Sequence, residues 1–261
     1  MTIRHGFTAL SIILVLALGG IDRAEARGFK VYGYSTPAQG TAELAYWYDR
    51  VLQSGAGYEF AGRPTTTTVS KEDLSRHALE LEYGVTDRWT ISGYLDFENH
   101  PDADLEYVQF RTVVSRYRLF EAGERFFDTA LYFEYYIPTA AYGRSEKLET
   151  RLIFEKRLAP VIVRLNPIFE KNVSEVDVTE GVEFEYAAGV YAPMGGLRLG
   201  LELYGALGEL RDWRPWDAQS HYLVPAVKFV LGPVDVDFGV GVGLTQASDD
   251  LLVKMIIGYE F

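Results

Sequence analysis

Apolar and polar residues alternate with a period of two in one segment after another of this chain, from about residue 41 to its end. The segment WTISGYLDFE, for example, places Trp89, Ile91 and Leu95 on one face and Thr90 and Asp96 on the other. Successive side chains of a β-strand point to opposite faces, whereas the side chains of a helix repeat about every 3.6 residues. The pattern therefore predicts a series of strands that each have one apolar and one polar face.

The spacing of these segments predicts an all-β fold of about twelve strands. The predicted strands cover residues 41–51, 76–84, 88–98, 105–118, 126–137, 146–157, 161–172, 180–191, 197–208, 220–230, 233–245 and 251–261. Longer polar connections such as GELRDWRPWDAQ mostly alternate with short ones such as LAP and LGP. This alternation indicates a meander of hairpins with two unequal ends, which is typical of a transmembrane antiparallel up-and-down β-barrel.

A soluble β-barrel or β-sandwich would show the same alternation, because the sequence does not say which face points outward. Two features favour the membrane barrel. An eight-stranded barrel already fills its interior with side chains, so an apolar row alone would not fill twelve strands. Aromatic residues such as Trp89, Tyr107, Tyr117 and Tyr222 lie near the ends of the predicted strands. Amphipathic rings prefer that position because it coincides with the lipid headgroups.

The beginning of the chain carries the features of an export signal. Residues 1–26 combine a short polar opening, an apolar run over 7–18 and the small-residue cleavage pattern AEA. These parts predict a secretory signal peptide that is cleaved after residue 26. The apolar run is shorter than the roughly 20 residues that a membrane-spanning helix needs. We expect residues 27–40 to form a periplasmic N-terminal segment and residues 41–261 to form the barrel.

The last predicted strand, LLVKMIIGYEF, keeps the alternation to its final residue, with Tyr259 and Phe261 on the apolar face. Pairing of this strand with the first would close the barrel, and lipid offers no hydrogen bonds to a free strand edge. A terminal strand that ends on Phe resembles the C-terminal signal that bacterial outer-membrane proteins present to their assembly machinery. The resemblance implies an outer-membrane location in a Gram-negative bacterium, with the membrane lipid and that machinery as partners.

The polar faces of the predicted strands carry charges of both signs. The formal net charge of the chain is −12, and without a basic patch we expect no nucleic-acid partner. An excess of carboxylates would favour cations or neutral solutes over anions in an open lumen. The same charges could instead pair across a narrow lumen and act structurally. The residues predicted to line the lumen are Glu80, Glu82, Tyr94, Asp96, Arg111, Tyr132, Glu134, Arg151, Glu185, Glu202, Asp235 and Asp237.

Gly239, Gly241 and Gly243 form a glycine row on one face of the eleventh predicted strand. Glycine weakens a strand unless the space beside it is needed. The row therefore indicates either a sharp bend of the wall or room for an inserted part of the chain. Residues 27–40 and the first long loop, GRPTTTTVSKED, are the two candidates for that insert.

The loop ELRDWRPWDAQ places Trp213 and Trp216 among charged residues on the longer-loop side of the barrel. Exposed aromatic rings among charges can bind ligands, sugars in particular. The same rings can also pack as a lid over the rim. We predict them to be contacts of the extracellular loops and leave both interpretations open.

The chain has few residues that would support catalysis. Ser75 and His77 are two residues apart and can share a face of the second strand. No Gly-x-Ser-x-Gly elbow occurs, and no His or acidic cluster has the spacing of metal ligands. We therefore expect no enzyme activity, no cofactor and no metal site. Hydrolysis of membrane lipids by these two residues is a secondary alternative to a simple hydrogen-bonded pair at the rim.

The stretch HALELEYGVTDRWTISGYLDFE resembles a hairpin that recurs in one bacterial family. These are the outer-membrane proteins of the MetA-type phenol-degradation pathway and related transporters. Thr and Asp suit the tight turn of the motif, and Trp anchors the next strand. The resemblance implies passage of hydrophobic or aromatic compounds. The matching residues are Tyr83, Gly84, Val85, Thr86, Asp87, Arg88 and Trp89.

The sequence thus predicts a porin-like channel or transporter for small solutes in the bacterial outer membrane. The identity of the solute stays open. A plugged barrel with a structural or receptor role is the first alternative, because the charges of the lumen are nearly balanced.

Overall fold

Twelve long antiparallel strands form the wall in the computed structural model, which describes residues 28–58, 69–99, 103–142, 144–174 and 178–261. The predicted signal peptide, residues 1–26, lies outside the described residues. The strands are β1 (Ala42–Gln53), β2 (Ser75–Thr86), β3 (Trp89–Asn99), β4 (Glu106–Arg118), β5 (Asp128–Pro138), β6 (Lys147–Leu158), β7 (Val161–Asn172), β8 (Glu183–Met194), β9 (Leu197–Glu209), β10 (Ser220–Leu231), β11 (Val234–Gly243) and β12 (Leu251–Glu260).

Short strands and 3₁₀ turns lie at one end of this wall. Gly57–Tyr58 pairs with Val69–Ser70, and Asp212–Trp213 extends β9. Single 3₁₀ turns lie at Ala140–Tyr142 and Trp216–Ala218. None of the described residues forms a helix long and apolar enough to cross a membrane.

Each strand pairs with its neighbours in sequence, and β12 closes the ring on β1. The closing register runs from Glu43 opposite Glu260 to Gln53 opposite Leu251. Beyond it, the Phe261 amide donates to the Ala42 carbonyl oxygen at 2.9 Å. The predicted closure of the first strand on the last is confirmed. The short turns after the even-numbered strands lie at the Phe261 end, which we assign to the periplasm because short turns face that side in bacterial barrels.

The predicted strand boundaries agree with the observed ones to within three residues. The largest difference is at β8, which was predicted over 180–191 and extends over Glu183–Met194. Residues 178–180 form a turn, so the strand starts later than the alternation alone indicates.

The exposure of the side chains shows which face of the wall points outward. On β2, Leu79, Leu81 and Tyr83 are 44%, 53% and 44% exposed, whereas Glu80 and Glu82 are 2% and 6% exposed. Exposed apolar and buried charged side chains alternate in the same way on other strands. A soluble barrel or sandwich has the reverse arrangement, so the fold is that of a membrane β-barrel.

The glycine row of β11 makes room for side chains of the wall itself. A Cβ added at Gly239 would lie 2.8 Å from Val224 Cγ1, and one at Gly241 would lie 2.7 Å from Leu252 Cδ1. A Cβ at Gly243 would overlap the carbonyl oxygen of Asp249 in the following loop. Of the two predicted explanations, the row therefore serves close packing of β10, β12 and this loop rather than an inserted segment.

We expect the substitution Leu81→Arg to lower the free energy of unfolding by about 2–4 kcal/mol, because it places a charge in the lipid-facing band. Urea unfolding of the protein in lipid vesicles measures this quantity. Leu210→Arg is the matched control, because Leu210 is 45% exposed and follows the end of β9. An equal loss of stability for both variants would contradict the assignment of the outer face.

Candidate functional site

The N-terminal segment occupies the interior of the barrel. Phe29, Val31, Tyr32 and Tyr34 are all buried, with exposures of 5% or less. The sequence analysis assigned residues 27–40 to the periplasm and also named them as one of two candidates for an insert into the barrel. In the structure the C-terminal end of this segment lies at the periplasmic rim next to β1, and its N-terminal end lies inside the lumen. We call residues 28–34 the plug.

The turn between β2 and β3 holds the segment at the rim. Thr36 Oγ1 donates to the Asp87 carbonyl oxygen and the Gln39 amide donates to Asp87 Oδ1, both at 3.0 Å. A Cβ at Gly84 would overlap the carbonyl oxygen of Ala38. Two residues of the Tyr-Gly-Val-Thr-Asp-Arg-Trp motif therefore contact the N-terminal segment. The sequence analysis assigned these residues only to the turn, because their contact partner is more than 40 residues away.

One asparagine of the wall pairs with the plug backbone in the manner of a neighbouring strand. The Tyr32 amide donates to Asn166 Oδ1 at 2.7 Å, and Asn166 Nδ2 donates to the Tyr32 carbonyl oxygen at 3.2 Å. The Tyr32 hydroxyl lies 3.1 Å from the Tyr94 hydroxyl and 3.4 Å from that of Tyr132. Asn166 is fully buried, and nothing in the sequence distinguishes it from other polar residues of the inner face.

The inner end of the plug is fixed by a lysine of the closing strand. Lys254 Nζ donates to the Phe29 carbonyl oxygen at 3.0 Å and forms an ion pair with Glu202 at 2.5 Å. The Phe29 ring packs edge-on against Tyr204 and Tyr222, with centroid distances of 5.1 and 5.2 Å. The plug is thus anchored by a buried cation and two rings as well as by Asn166.

The residues predicted to line the lumen lie on the inner face of the wall. All are buried except Asp235 and Asp237, which border a cavity at the periplasmic end. Arg111 connects two of the others, with Nε 2.9 Å from Asp96 Oδ2 and Nη1 3.1 Å from Glu134 Oε1. Charges of opposite sign therefore pair between neighbouring strands of the wall.

Four carboxylates form a row across β5, β6, β7 and β8. Glu134 is directly opposite Glu149, Glu149 is opposite Glu170, and Glu170 is opposite Glu183. Glu185 lies beside this row, fully buried, and its Oε1 has no hydrogen-bond partner among the described residues. The cations that pair with the row are Arg111, Lys147, Arg151 and Arg214.

The row gives the inner wall an acidic character, because buried carboxylates outnumber buried cations. The geometry of the carboxylate row does not suit a metal ion. No group of three or more His, Asp or Glu side chains in the described ranges has an arrangement that could hold one.

A cavity of about 590 Å³ lies beside the plug at the periplasmic end. Towards the loops the lumen is filled more tightly, with Lys71 Nζ 3.9 Å from Asp249 Oδ1 and the Tyr222 hydroxyl donating to Asp249 Oδ2 at 3.2 Å. The cavity that remains between these residues and Phe29 has about 20 Å³, which is room for about one water molecule. The charged residues around the larger cavity are Lys30, Glu43, Glu82, Arg116, Arg164, Arg198, Lys228, Asp235, Asp237 and Glu260.

The two tryptophans of the loop after β9 pack on rings of the barrel rim. Trp213 stacks on Phe184 with a centroid distance of 6.2 Å, and Trp216 stacks on His221 at 4.5 Å. Both side chains remain more than half exposed. The loop therefore folds back onto the rim, and the outer faces of the two tryptophan rings stay accessible.

Comparison with known proteins identifies the fold class. No known family profile and no curated protein matches the chain. Solved structures do match. The COG4313 outer membrane channel from Pseudomonas putida F1 has a TM-score of 0.56 and 16% identity over 87% of this chain and 98% of that chain. The TodX deltaS2S3 mutant monoaromatic hydrocarbon channel has a TM-score of 0.42 and 8% identity over 86% and 90%.

A third match is the outer membrane channel DcaP of Acinetobacter baumannii, with a TM-score of 0.37 and 10% identity over 90% and 99% of the two chains. At these identities the likeness shows the fold alone. The chain has the fold of the outer-membrane β-barrel proteins. The resemblance to the MetA-type family is not confirmed by any of these matches.

We expect Gly84→Ala to loosen the N-terminal segment, because the added Cβ would overlap the Ala38 carbonyl oxygen. Hydrogen exchange at the amides of Tyr32 and Tyr34 should become faster. Gly93→Ala on the adjacent strand is the matched control, because its Cβ would lie 3.5 Å or more from its neighbours. Equal exchange rates in the two variants would contradict the proposed role of Gly84.

Proposed function

We propose that this chain is an outer-membrane channel for small cationic or neutral solutes and that the plug closes its lumen. The observation that carries the proposal is the position of residues 28–34, which lie inside the barrel and contact opposite parts of its wall through Asn166 and Lys254. The name of the COG4313 outer membrane channel, whose fold this chain shares, supports the same role.

The way in which the plug is held favours a gate over a permanent part of the wall. The described plug backbone pairs with no strand. Its partners in the wall are side chains, such as Asn166, Lys254 and Glu155, whose Oε2 accepts from the Tyr34 amide at 3.3 Å. A hydrogen bond of this kind contributes a net of about 0.5–1.5 kcal/mol when both partners are neutral, as with Asn166, and about 1.5–3 kcal/mol when one is charged, as with Lys254 and Glu155. Release of the plug would leave the strand ladders of the wall intact, and the cavity of about 590 Å³ beside the plug offers space for movement.

The chemistry of the inner wall indicates the class of solute. The carboxylate row on β5–β8 is directed into the lumen and attracts cations. The described inner face is formed mainly by charged and tyrosine side chains, such as Tyr94 and Tyr132. The hairpin resemblance implies hydrophobic or aromatic solutes, and these rings could accommodate an aromatic group that also carries a polar or cationic one.

A plugged barrel with a structural or receptor role is the second candidate. Glu202 illustrates the observation that favours it, because this carboxylate accepts from the hydroxyls of Tyr191 and Tyr204 and from two lysines. A lumen whose charges are satisfied in this way is stable when it is closed. The two candidates differ in whether removal of the plug leaves a conducting path.

We expect deletion of residues 28–34 to convert small or rare conductance events into steady steps that are several times larger. The physical reason is that the deletion removes the only described segment that crosses the lumen. Single-channel recording in planar bilayers, with a KCl gradient across the membrane, measures both the conductance and the sign of the ion preference. We expect the reversal potential to show a preference for K⁺ over Cl⁻ because of the acidic row.

Glu149→Gln in the deleted background should reduce this preference, whereas Glu121→Gln should not, since Glu121 lies in the turn after β4 at the periplasmic rim. Silence from the folded deletion variant would contradict the channel and favour the structural role.

A further inference from the structure

The outer face of the barrel carries a hydrogen-bonded Ser-His-Tyr group that the channel does not use. Ser75 Oγ lies 3.2 Å from His77 Nε2, and His77 Nδ1 lies 2.6 Å from the Tyr46 hydroxyl. Ser75 and His77 alternate with the inward-facing Arg76, so they point away from the lumen. The distances are those of a nucleophile, a base and a residue that orients the base.

A cationic side chain with one unpaired donor, Arg50, lies next to this group. Arg50 is directly opposite Ser75 in the pairing of β1 with β2, which brings the two side chains to about 5 Å at their Cβ atoms. Its Nη2 is paired with Asp73 Oδ1 at 2.6 Å. Its Nε is buried and has no hydrogen-bond partner in the described part of the chain. A free donor beside a serine can stabilise the oxyanion of an acyl-transfer intermediate.

The group lies at the level where membrane lipids carry their ester bonds. On β2, Ser75 is eight residues from Tyr83, the exposed aromatic near the periplasmic end. Eight residues of a tilted strand span about 20 Å of an apolar band that is about 25 Å tall. The rings of Tyr46 and Tyr48 lie 6.0 and 5.2 Å from the imidazole of His77. Ser75 therefore lies near the outer boundary of the band, beside an aromatic surface.

We propose that Ser75 and His77 form the catalytic pair of an acyl-ester hydrolase that acts on lipids of the outer leaflet. Arg50 stabilises the oxyanion, and Tyr46 is a positioning residue that accepts a hydrogen bond from Nδ1–H. This site is separate from the lumen and does not depend on the channel.

The reaction balances with water as the second reactant. Ser75 Oγ bonds to the ester carbonyl carbon while its proton passes to His77 Nε2. The C–O bond of the ester then breaks, and His77 returns the proton to the leaving alkoxide of the lyso-lipid. A water molecule next attacks the acyl-serine and gives its proton to His77. The fatty acid leaves and Ser75 regains its proton.

Covalent labelling of the full mature barrel with a fluorophosphonate probe tests the nucleophile directly. We expect mass spectrometry to place the label on Ser75, and we expect Ser75→Ala and His77→Asn to lower the labelling rate at least about 100-fold. Ser115→Ala is the matched control, because Ser115 is on the outer face near the opposite end and accepts from Trp89 Nε1 at 2.8 Å. This control should label at the unaltered rate.

Tyr46→Phe separates a positioning role from a structural one. The first-order rate constant of labelling should fall roughly tenfold, the equivalent of one hydrogen bond, while the probe concentration at half-saturation stays the same. A change in half-saturation alone would contradict the role of Tyr46.

Vesicles of phosphatidylethanolamine and purified lipopolysaccharide, supplied separately, identify which acyl ester is cleaved by the release of fatty acid. Release from either one supports the proposal. No label on Ser75, or no fatty acid from both lipids, would overturn it, provided that the protein shows the electrophoretic mobility of a folded barrel.

Discussion

The structure depends on the ladder between β1 and β12, because lipid cannot satisfy an unpaired strand edge. This pairing starts at Glu43 opposite Glu260. It joins the last strand of the meander to the first. Closure also determines the register of the whole wall. A slip of one residue would move Glu80 and Glu82 from the lumen to the lipid and Leu81 from the lipid to the lumen. The inward and outward chemistry of the barrel is therefore set by the same constraint that closes it.

A closed wall of twelve strands leaves an interior that side chains do not fill by themselves, and it leaves few backbone groups free to bind anything in that interior. Side chains of the wall, instead of backbone groups, therefore bind the plug. Asn166 supplies both a donor and an acceptor to Tyr32, and Lys254 supplies a donor to the carbonyl of Phe29. Such contacts hold the segment in one place without joining it to the sheet, which is the property that a gate requires.

The two faces of one strand carry different functional groups, one set towards the lumen and one towards the lipid. On β2, Arg76 faces the lumen and lies 3.6 Å from Asp49, while Ser75 and His77 on either side of it face the lipid. Inside, the ionic groups are shielded from lipid and can select a solute. Outside, a serine and a histidine form the hydrogen-bonded pair that we propose to act on the ester bonds of membrane lipids. One chain can therefore carry a channel and a lipid-directed site that do not interfere.

The period of two determined the fold class, the twelve strands and the membership of each residue in one of two faces, because these properties are local. The alternation of Leu79, Glu80, Leu81 and Glu82 needs no distant partner to be recognised. The same pattern left open which face is outward, and only the closed barrel decided it, since curvature assigns the inside.

The sequence named residues 27–40 as one of two candidates for an insert, but it could not place the plug in the lumen. The contacts of Asn166, Gly84 and Asp87 were beyond it as well, because each joins residues far apart in the chain. The sequence named Ser75 and His77 as a pair but could not supply Tyr46 or Arg50. Those residues come from the neighbouring strand, and only the register of the folded sheet places them beside the serine.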